Sequence, residues 1–202
     1  MGIPLLRHYL YIVAVSPSLA LFSRIMALNL LHFADLHLGV ENYGRIDPGT
    51  GLHSRVRDFA ASLATAFDFA IEEEVDLVLF AGDMYKTCDP TPTHQREFAL
   101  QLHRLQEARI PIVLIVGNHD APVAFGKATS IDIFSDLQLA GTHVVRYPEI
   151  LRVETANGPV QIAGLPWPTR NILRTHDEYR ELPQEEITAA IQEICAAQID
   201  EF

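Results

Sequence analysis

Three short runs, Leu28–Ala34, Asp76–Ala81 and Ile110–Val116, are dominated by Leu, Ile, Val and Phe and lack the polar alternation of a half-exposed strand. Strands of that composition are buried on both faces, as in a parallel sheet. The stretches between them carry helical spacing instead. From His53 to Glu74, residues Val56, Phe59, Ala60, Leu63, Phe67 and Ile71 fall on one face, and from Thr93 to Ala108 the same holds for Phe98, Leu102 and Leu105. Strand, helix, strand, helix, strand predicts an α/β fold whose parallel strands are joined by right-handed crossovers. Shorter strands are predicted at Thr142–Tyr147, Ile150–Thr155 and Val160–Leu165, the last pair joined at Asn157-Gly158, and these begin a second sheet. Pro166, Pro168 and Pro183 then break the chain before a last helical run, Glu185 to Ile199, which has no obvious chemistry.

A chain of 202 residues can bury a sizeable core and suits one domain, with room for an appendage. The formal charge of −11 argues against a surface that coats nucleic acid, because neutralising phosphates takes clustered Lys and Arg. Any DNA contact must be local or supplied by a partner. The two cysteines, Cys88 and Cys195, are far apart and lack metal-type spacing, so neither a disulfide framework nor a zinc knuckle is expected, and a reducing cytosol fits.

The first 25 residues differ in character from the rest. Leu10–Leu21 is apolar with Arg7 ahead of it, in the manner of a weak signal peptide, but it contains Pro17 and is too short to span a bilayer. Against export, the first core strand begins almost directly after Met26, itself a credible true start. An extension outside the core or a mis-assigned start, a membrane or signal role, and an added packing helix are the three readings. The division expected is an extension over 1–25 and one domain over 26–202, with no stable membrane association.

Each core run ends in a polar cluster: Asp35-Leu36-His37, Gly82-Asp83 and Gly117-Asn118-His119-Asp120. In open α/β sheets ligands bind beyond the carboxyl ends of the strands, so these clusters are predicted to converge in space. Carboxylate, imidazole and carboxamide together make a metal-site pattern. Asp35 and His37 leave one strand end two residues apart and can grip one ion. Asp83 has two carboxylate oxygens and can bridge two ions, while Asn118 offers a neutral amide oxygen to the second. Such mixed ligation suits manganese, iron or zinc better than calcium. Two ions about 3.5–4 Å apart can activate water and clamp a phosphate ester. His119 is then placed to stabilise the transition state or protonate the leaving oxygen.

Each residue also has an ordinary structural role open to it. A single Asp after a strand commonly caps the next turn, and a lone buried His is usually a satisfied core residue. Joint occurrence at three strand ends favours function for the set. Asp120 either caps a short helix or orients His119. Arg45, Arg55, Arg57 and Lys86 are candidates for phosphate contact, although loop charges are usually solvated, and Tyr43 is a weaker candidate for stacking on a base.

These motifs resemble the first three of the calcineurin-like metallophosphoesterases. The surrounding "HFADLHLG", "SRVRDF", "VDLVLFAGDMY", "GNHDAP" and "IAGLPWP" are similar to the SbcD-like nuclease subunits of DNA double-strand-break repair, over about Leu28 to Trp167. The resemblance implies a four-layer α/β/β/α sandwich with the site at the seam of two sheets. It also implies a manganese-dependent nuclease, with exonuclease action on duplex ends and endonuclease action on single strands or hairpins. Two divalent ions, homodimer formation, and work on DNA in the cytoplasm, at the nucleoid, with an SbcC-like coiled-coil ATPase come with it. Asp35 and His37 would hold the first ion, Asp83 would bridge, Asn118 would hold the second, and His119 would be catalytic.

One departure matters. The family completes its ligand set with a further His and a Gly-His-x-His motif, whereas only His143 and His176 follow His119 here. His176 lies in a polar stretch rather than at a strand end. The expectation is therefore a C-terminally truncated chain with an incomplete second sheet, weak metal binding and little activity. Two alternatives stand beside the nuclease: a phosphoesterase acting on nucleotides or small phosphoesters, and a non-catalytic fragment that binds a repair ATPase.

Overall fold

The computed structural model describes residues 28–122, 127–168, 173 and 179–202, together with the backbone of 14–17. The strands are β1 (Ala14–Pro17), β2 (Leu30–Phe33), β3 (Leu77–Phe80), β4 (Ile112–Ile115), β5 (Thr142–Val145), β6 (Glu149–Thr155) and β7 (Gly158–Gly164). The helices are α1 (Ser54–Glu72), α2 (Pro92–Ala108), α3 (Asp132–Asp136) and α4 (Gln184–Glu201). Strands β2-β3-β4-β5 form a parallel sheet in that order, and β1-β7-β6 form an antiparallel one.

The alternation within β3 and β4 explains why their sequences are apolar throughout. Val78, Phe80, Ile112 and Leu114 face a core filled by Val56, Leu63 and Phe67 of α1, Phe98 and Leu102 of α2, and Phe134 of α3. Leu77, Leu79, Val113 and Ile115 face the opposite way and pack with Val145, Val153, Val160 and Ile162, which joins the two sheets. Helices, parallel sheet and antiparallel sheet are thus successive layers, in agreement with the fold expected. The helix α2 starts one residue before the predicted Thr93, with Pro92 in its first turn and Thr91 Oγ1 accepting from His94 N–H at 3.3 Å.

Three local features were not foreseen. Ala14–Pro17, within the leading segment, pairs with Val160–Ala163 as the edge strand β1, while the rest of that segment lies outside the described residues. The short helix α3 covers the sheet beside α2. The β6–β7 hairpin turns at Ala156-Asn157, so that β7 begins at Gly158 with φ +113°, a conformation open to glycine. Asn157 Nδ2 donates to Asp76 Oδ1 at 2.8 Å, and Asp76 Oδ2 accepts from Asn29 N–H at 2.9 Å. This buried carboxylate ties the tip of one sheet to the start of the other. Among the described residues, no helix is long and apolar enough to cross a membrane.

Candidate metal centre

The chain continues past the ends of β2 and β3 in matched fashion. Asp35 N–H donates to Gly82 O, His37 N–H to Asp83 O and Leu38 N–H to Met84 O, at 3.1, 2.9 and 2.9 Å. Within this paired segment Asp35, His37 and Asp83 all hold positive φ, at +60°, +49° and +59°. Asp and His enter the left-handed region more readily than most non-glycine residues, at a cost of order 1–3 kcal/mol each, and such residues cluster at functional sites. The kinks bring three polar side chains together where apolar strands would otherwise continue.

Gly117, at the end of β4, lets the third cluster approach. A Cβ there would lie 2.2 Å from Asp83 Oδ1 and 2.3 Å from Asp83 N, so no larger residue fits without moving Asp83. His119 N–H then donates to Asp83 Oδ1 at 2.8 Å. The segment after β7 closes the same edge, with Trp167 N–H donating to Val116 O at 2.9 Å. The site therefore sits where the ends of both sheets meet.

Asp120 is fully buried, and its role is neither of the two that its sequence position suggested. Its carboxylate accepts from the N–H groups of Asp83 (2.8 Å), Gly117 (3.1 Å), Tyr85 (3.3 Å) and Met84 (3.4 Å). It thereby binds the Asp83 loop to the end of β4 instead of capping a helix or touching the His119 ring. Burial pushes the Asp120 carboxyl above the usual range; the N–H groups of Gly117, Tyr85 and Met84 oppose the rise, and the adjacent Asp83 charge adds to it. Burial, followed by the Asp120 charge, drives the Tyr85 phenol far above its ordinary value, and among the described residues its hydroxyl has no hydrogen-bond partner.

His37, Asp83 and His119 each present one ligand atom, and the three atoms lie within 4.8 Å of one another. His37 Nε2 stands 3.6 Å from Asp35 Oδ1 and 3.9 Å from Asp83 Oδ2, too far for hydrogen bonds. Ligand atoms about 2.0–2.2 Å from a common ion stand roughly 3–4 Å from one another, so these gaps fit a divalent cation. His119 Nδ1 is 2.8 Å from Lys86 O. A carbonyl only accepts, so Nδ1 carries the proton and Nε2 keeps its lone pair for a metal or a substrate proton. The His37 and His119 rings meet edge to face, with centroids 4.7 Å apart.

The remaining candidates divide. Asp35 borders the cluster, and Asn118 is exposed on the loop between Gly117 and His119. Arg55 pairs with Asp58 at 3.3 Å and lies over the Phe59 ring, while Arg57 pairs with Asp47 at 2.9 Å. Arg45 and Lys86 are exposed, and among the described residues neither forms an ion pair. Tyr43 is fully exposed, with φ +60°. His143 lies half-buried on β5 opposite Val113, and His176 lies outside the described residues. Sequence reasoning missed the hold of Asp120 on the Asp83 loop, for which no local pattern gives a signal, since Asp83 and Asp120 are 37 residues apart.

Comparison with known proteins is consistent with this geometry. The chain is 36% identical over 117 residues to the DNA double-strand break repair protein Mre11 of Methanosarcina mazei, covering 56% of this chain and 17% of that protein. It is 27% identical over 167 residues to the protein of the same name from Saccharolobus solfataricus, covering 76% and 42% respectively. Over 94 residues it is 34% identical to the uncharacterized metallophosphoesterase YhaO of Bacillus subtilis, covering 46% and 23%. The chain thus spans less than half the length of each of these relatives. The family profile described as calcineurin-like phosphoesterase matches residues 28–193, and the chain belongs to that family.

Proposed function

We propose that this chain carries the metal-binding part of a DNA nuclease of double-strand-break repair, acting as an exonuclease on duplex ends and an endonuclease on single strands or hairpins. The observation that carries the reading is the convergence of His37, Asp83 and His119 at the strand ends of a domain similar to Mre11 proteins. His37, Asp83 and His119, with Asp35 beside them and Asn118 on the adjacent loop, would hold two divalent cations, most readily Mn2+. When bound, such ions supply Lewis acidity toward the phosphodiester and a more acidic water.

The chain's own groups do the rest. Asp83 Oδ1 is engaged by His119 N–H, which leaves Oδ2 directed toward His37. The His119 ring is held at Nδ1 by Lys86 O, which sets where Nε2 sits; with Nε2 on a metal ion the ring cannot also donate to a leaving oxygen, so its acid role would be exercised only while Nε2 is off the metal and carries a proton. Arg45 and Lys86 are the cations proposed for backbone phosphates, because the side chains of Arg55 and Arg57 already face carboxylates. With few such cations and a charge of −11, sustained hold on DNA is assigned to a second copy and to a coiled-coil ATPase of the SbcC or Rad50 type.

Among the described residues only His37 and His119 bring imidazoles to this cluster, so low turnover is expected. The test is incubation with Mn2+ and end-labelled duplex, hairpin and nitrophenyl ester substrates. Slow, metal-dependent DNA cleavage lost in Asp83→Ala supports the reading. Turnover of nitrophenyl esters without DNA cleavage would favour the small-phosphoester alternative, and robust DNA cleavage would contradict the low turnover expected.

A further inference from the structure

His37 opens a tight turn. Its carbonyl accepts from Val40 N–H at 3.2 Å, and Gly39, the third residue of that turn, has φ +107°. From here the chain enters a long loop, and between buried Leu38 and buried Val56 no residue is buried. The start of the turn is held by the β3 loop, where Lys86 N–H donates to Leu38 O at 3.1 Å, and Gly39 is seated on the imidazole of His94. This ring is nine-tenths buried in the first turn of α2, and a Cβ on Gly39 would lie 2.8 Å from its Cε1 and Nδ1. Next to Cε1, His94 Nε2 stands 3.3 Å from Glu41 Oε1, to which it donates because a carboxylate only accepts. Turn and ring are therefore gripped twice, by close packing at Gly39 and by a charge-assisted contact at Glu41.

We infer that His94 is a positioning residue for the metal centre: seated at the start of α2 and joined to Glu41, it fixes the Gly39 turn and through it the orientation of His37. The inference rests on the reading of His37 as a metal ligand. His37 itself holds a left-handed φ of +49°, a conformation that persists only when its surroundings over-determine it. The β3 loop supplies that constraint on one side, through Asp83 O, and His94 supplies it on the other. Groups that orient a ligand in this way commonly change metal affinity about 10–100-fold when removed.

The test uses Mn2+ titration of the 202-residue chain, followed by paramagnetic broadening of the histidine ring protons, with thermal melting measured in parallel. His94→Ala is expected to weaken Mn2+ binding about 10–100-fold, and His94→Gln, which keeps a donor for Glu41, to recover most of it. Glu41→Ala, a change at an exposed residue that does not threaten the fold, should weaken binding in the same direction by a smaller factor. Wild-type affinity in both His94→Ala and Glu41→Ala would overturn the inference, whatever the melting temperatures do. Failure of the wild-type chain to broaden the His37 ring at any Mn2+ concentration would overturn the metal reading and this inference together.

Discussion

Asp76 and Asp83 stand at opposite ends of β3, both buried, and they differ in what their oxygens do. Asp76 is satisfied on both oxygens, by Asn29 N–H and Asn157 Nδ2, and its work is to join the two sheets. Asp83 holds φ +59°, engages one oxygen with His119 N–H, and leaves the other facing His37 across a gap of 3.9 Å. A buried carboxylate with both oxygens engaged by donors is a structural element. One that is strained and half-satisfied, facing a second ligand-competent group, has been kept for something else.

The contrast predicts different phenotypes. Asp83→Ala should reduce metal-dependent phosphoesterase turnover to background, because the carboxylate shared by His37 and His119 is gone, and should also lower the melting temperature, because Ala tolerates φ +59° less readily than Asp and His119 N–H loses its acceptor. Retained metal-dependent turnover would place the centre elsewhere. Gly117→Ala should have the next largest effect, since its methyl must displace Asp83; overpacking of this kind costs about 1–3 kcal/mol. Chemical denaturation and Mn2+ titration should both register that change. Asp76→Ala should cost about 1 kcal/mol of stability by removing the acceptor shared by Asn29 N–H and Asn157 Nδ2, and leave Mn2+ affinity intact once the protein is folded. Loss of metal binding by folded Asp76→Ala would erase the distinction between the two ends of the strand.

The smallest effect concerns His143, half-buried away from the cluster. Burial holds its imidazole below the ordinary histidine value of 6.5, so the folded chain favours the neutral ring. The unfolded chain then takes up a proton more readily, so this contribution to stability is complete above about 6.5 and is lost as pH falls through that value toward the folded pKa. Thermal melts at pH 7.5 and 5.5 should show a smaller drop in His143→Gln than in the wild-type chain. An unchanged drop would remove His143 from the titrating groups that matter.

Much of this arrangement was legible in the sequence, and the physical reasons differ by element. Strands β3 and β4 were readable because burial on both faces excludes polar residues, which made the polar clusters at their ends conspicuous. The helices α1 and α2 were readable from one apolar stripe each. The edge strand β1 was not, because it forms only by pairing with β7 far along the chain. Nor was the role of Asp120, whose acceptors serve N–H groups brought close by the fold alone. His94 looks from sequence like one more polar residue at a helix start, and only the approach of Gly39 sets it apart. The left-handed φ angles of Asp35, His37 and Asp83 likewise follow from hydrogen bonds between strand ends, which no local pattern encodes.

The central claim is that His37, Asp83 and His119 form one metal centre at the carboxyl ends of the parallel strands. Anomalous diffraction from crystals of the chain soaked in Mn2+ tests it most directly. A peak within ligand distance of His37 Nε2, an Asp83 carboxylate oxygen and His119 Nε2, absent in Asp83→Ala crystals, is the predicted result. Ordered Mn2+ elsewhere with this cluster empty, or a peak that persists at the cluster in Asp83→Ala, would contradict it.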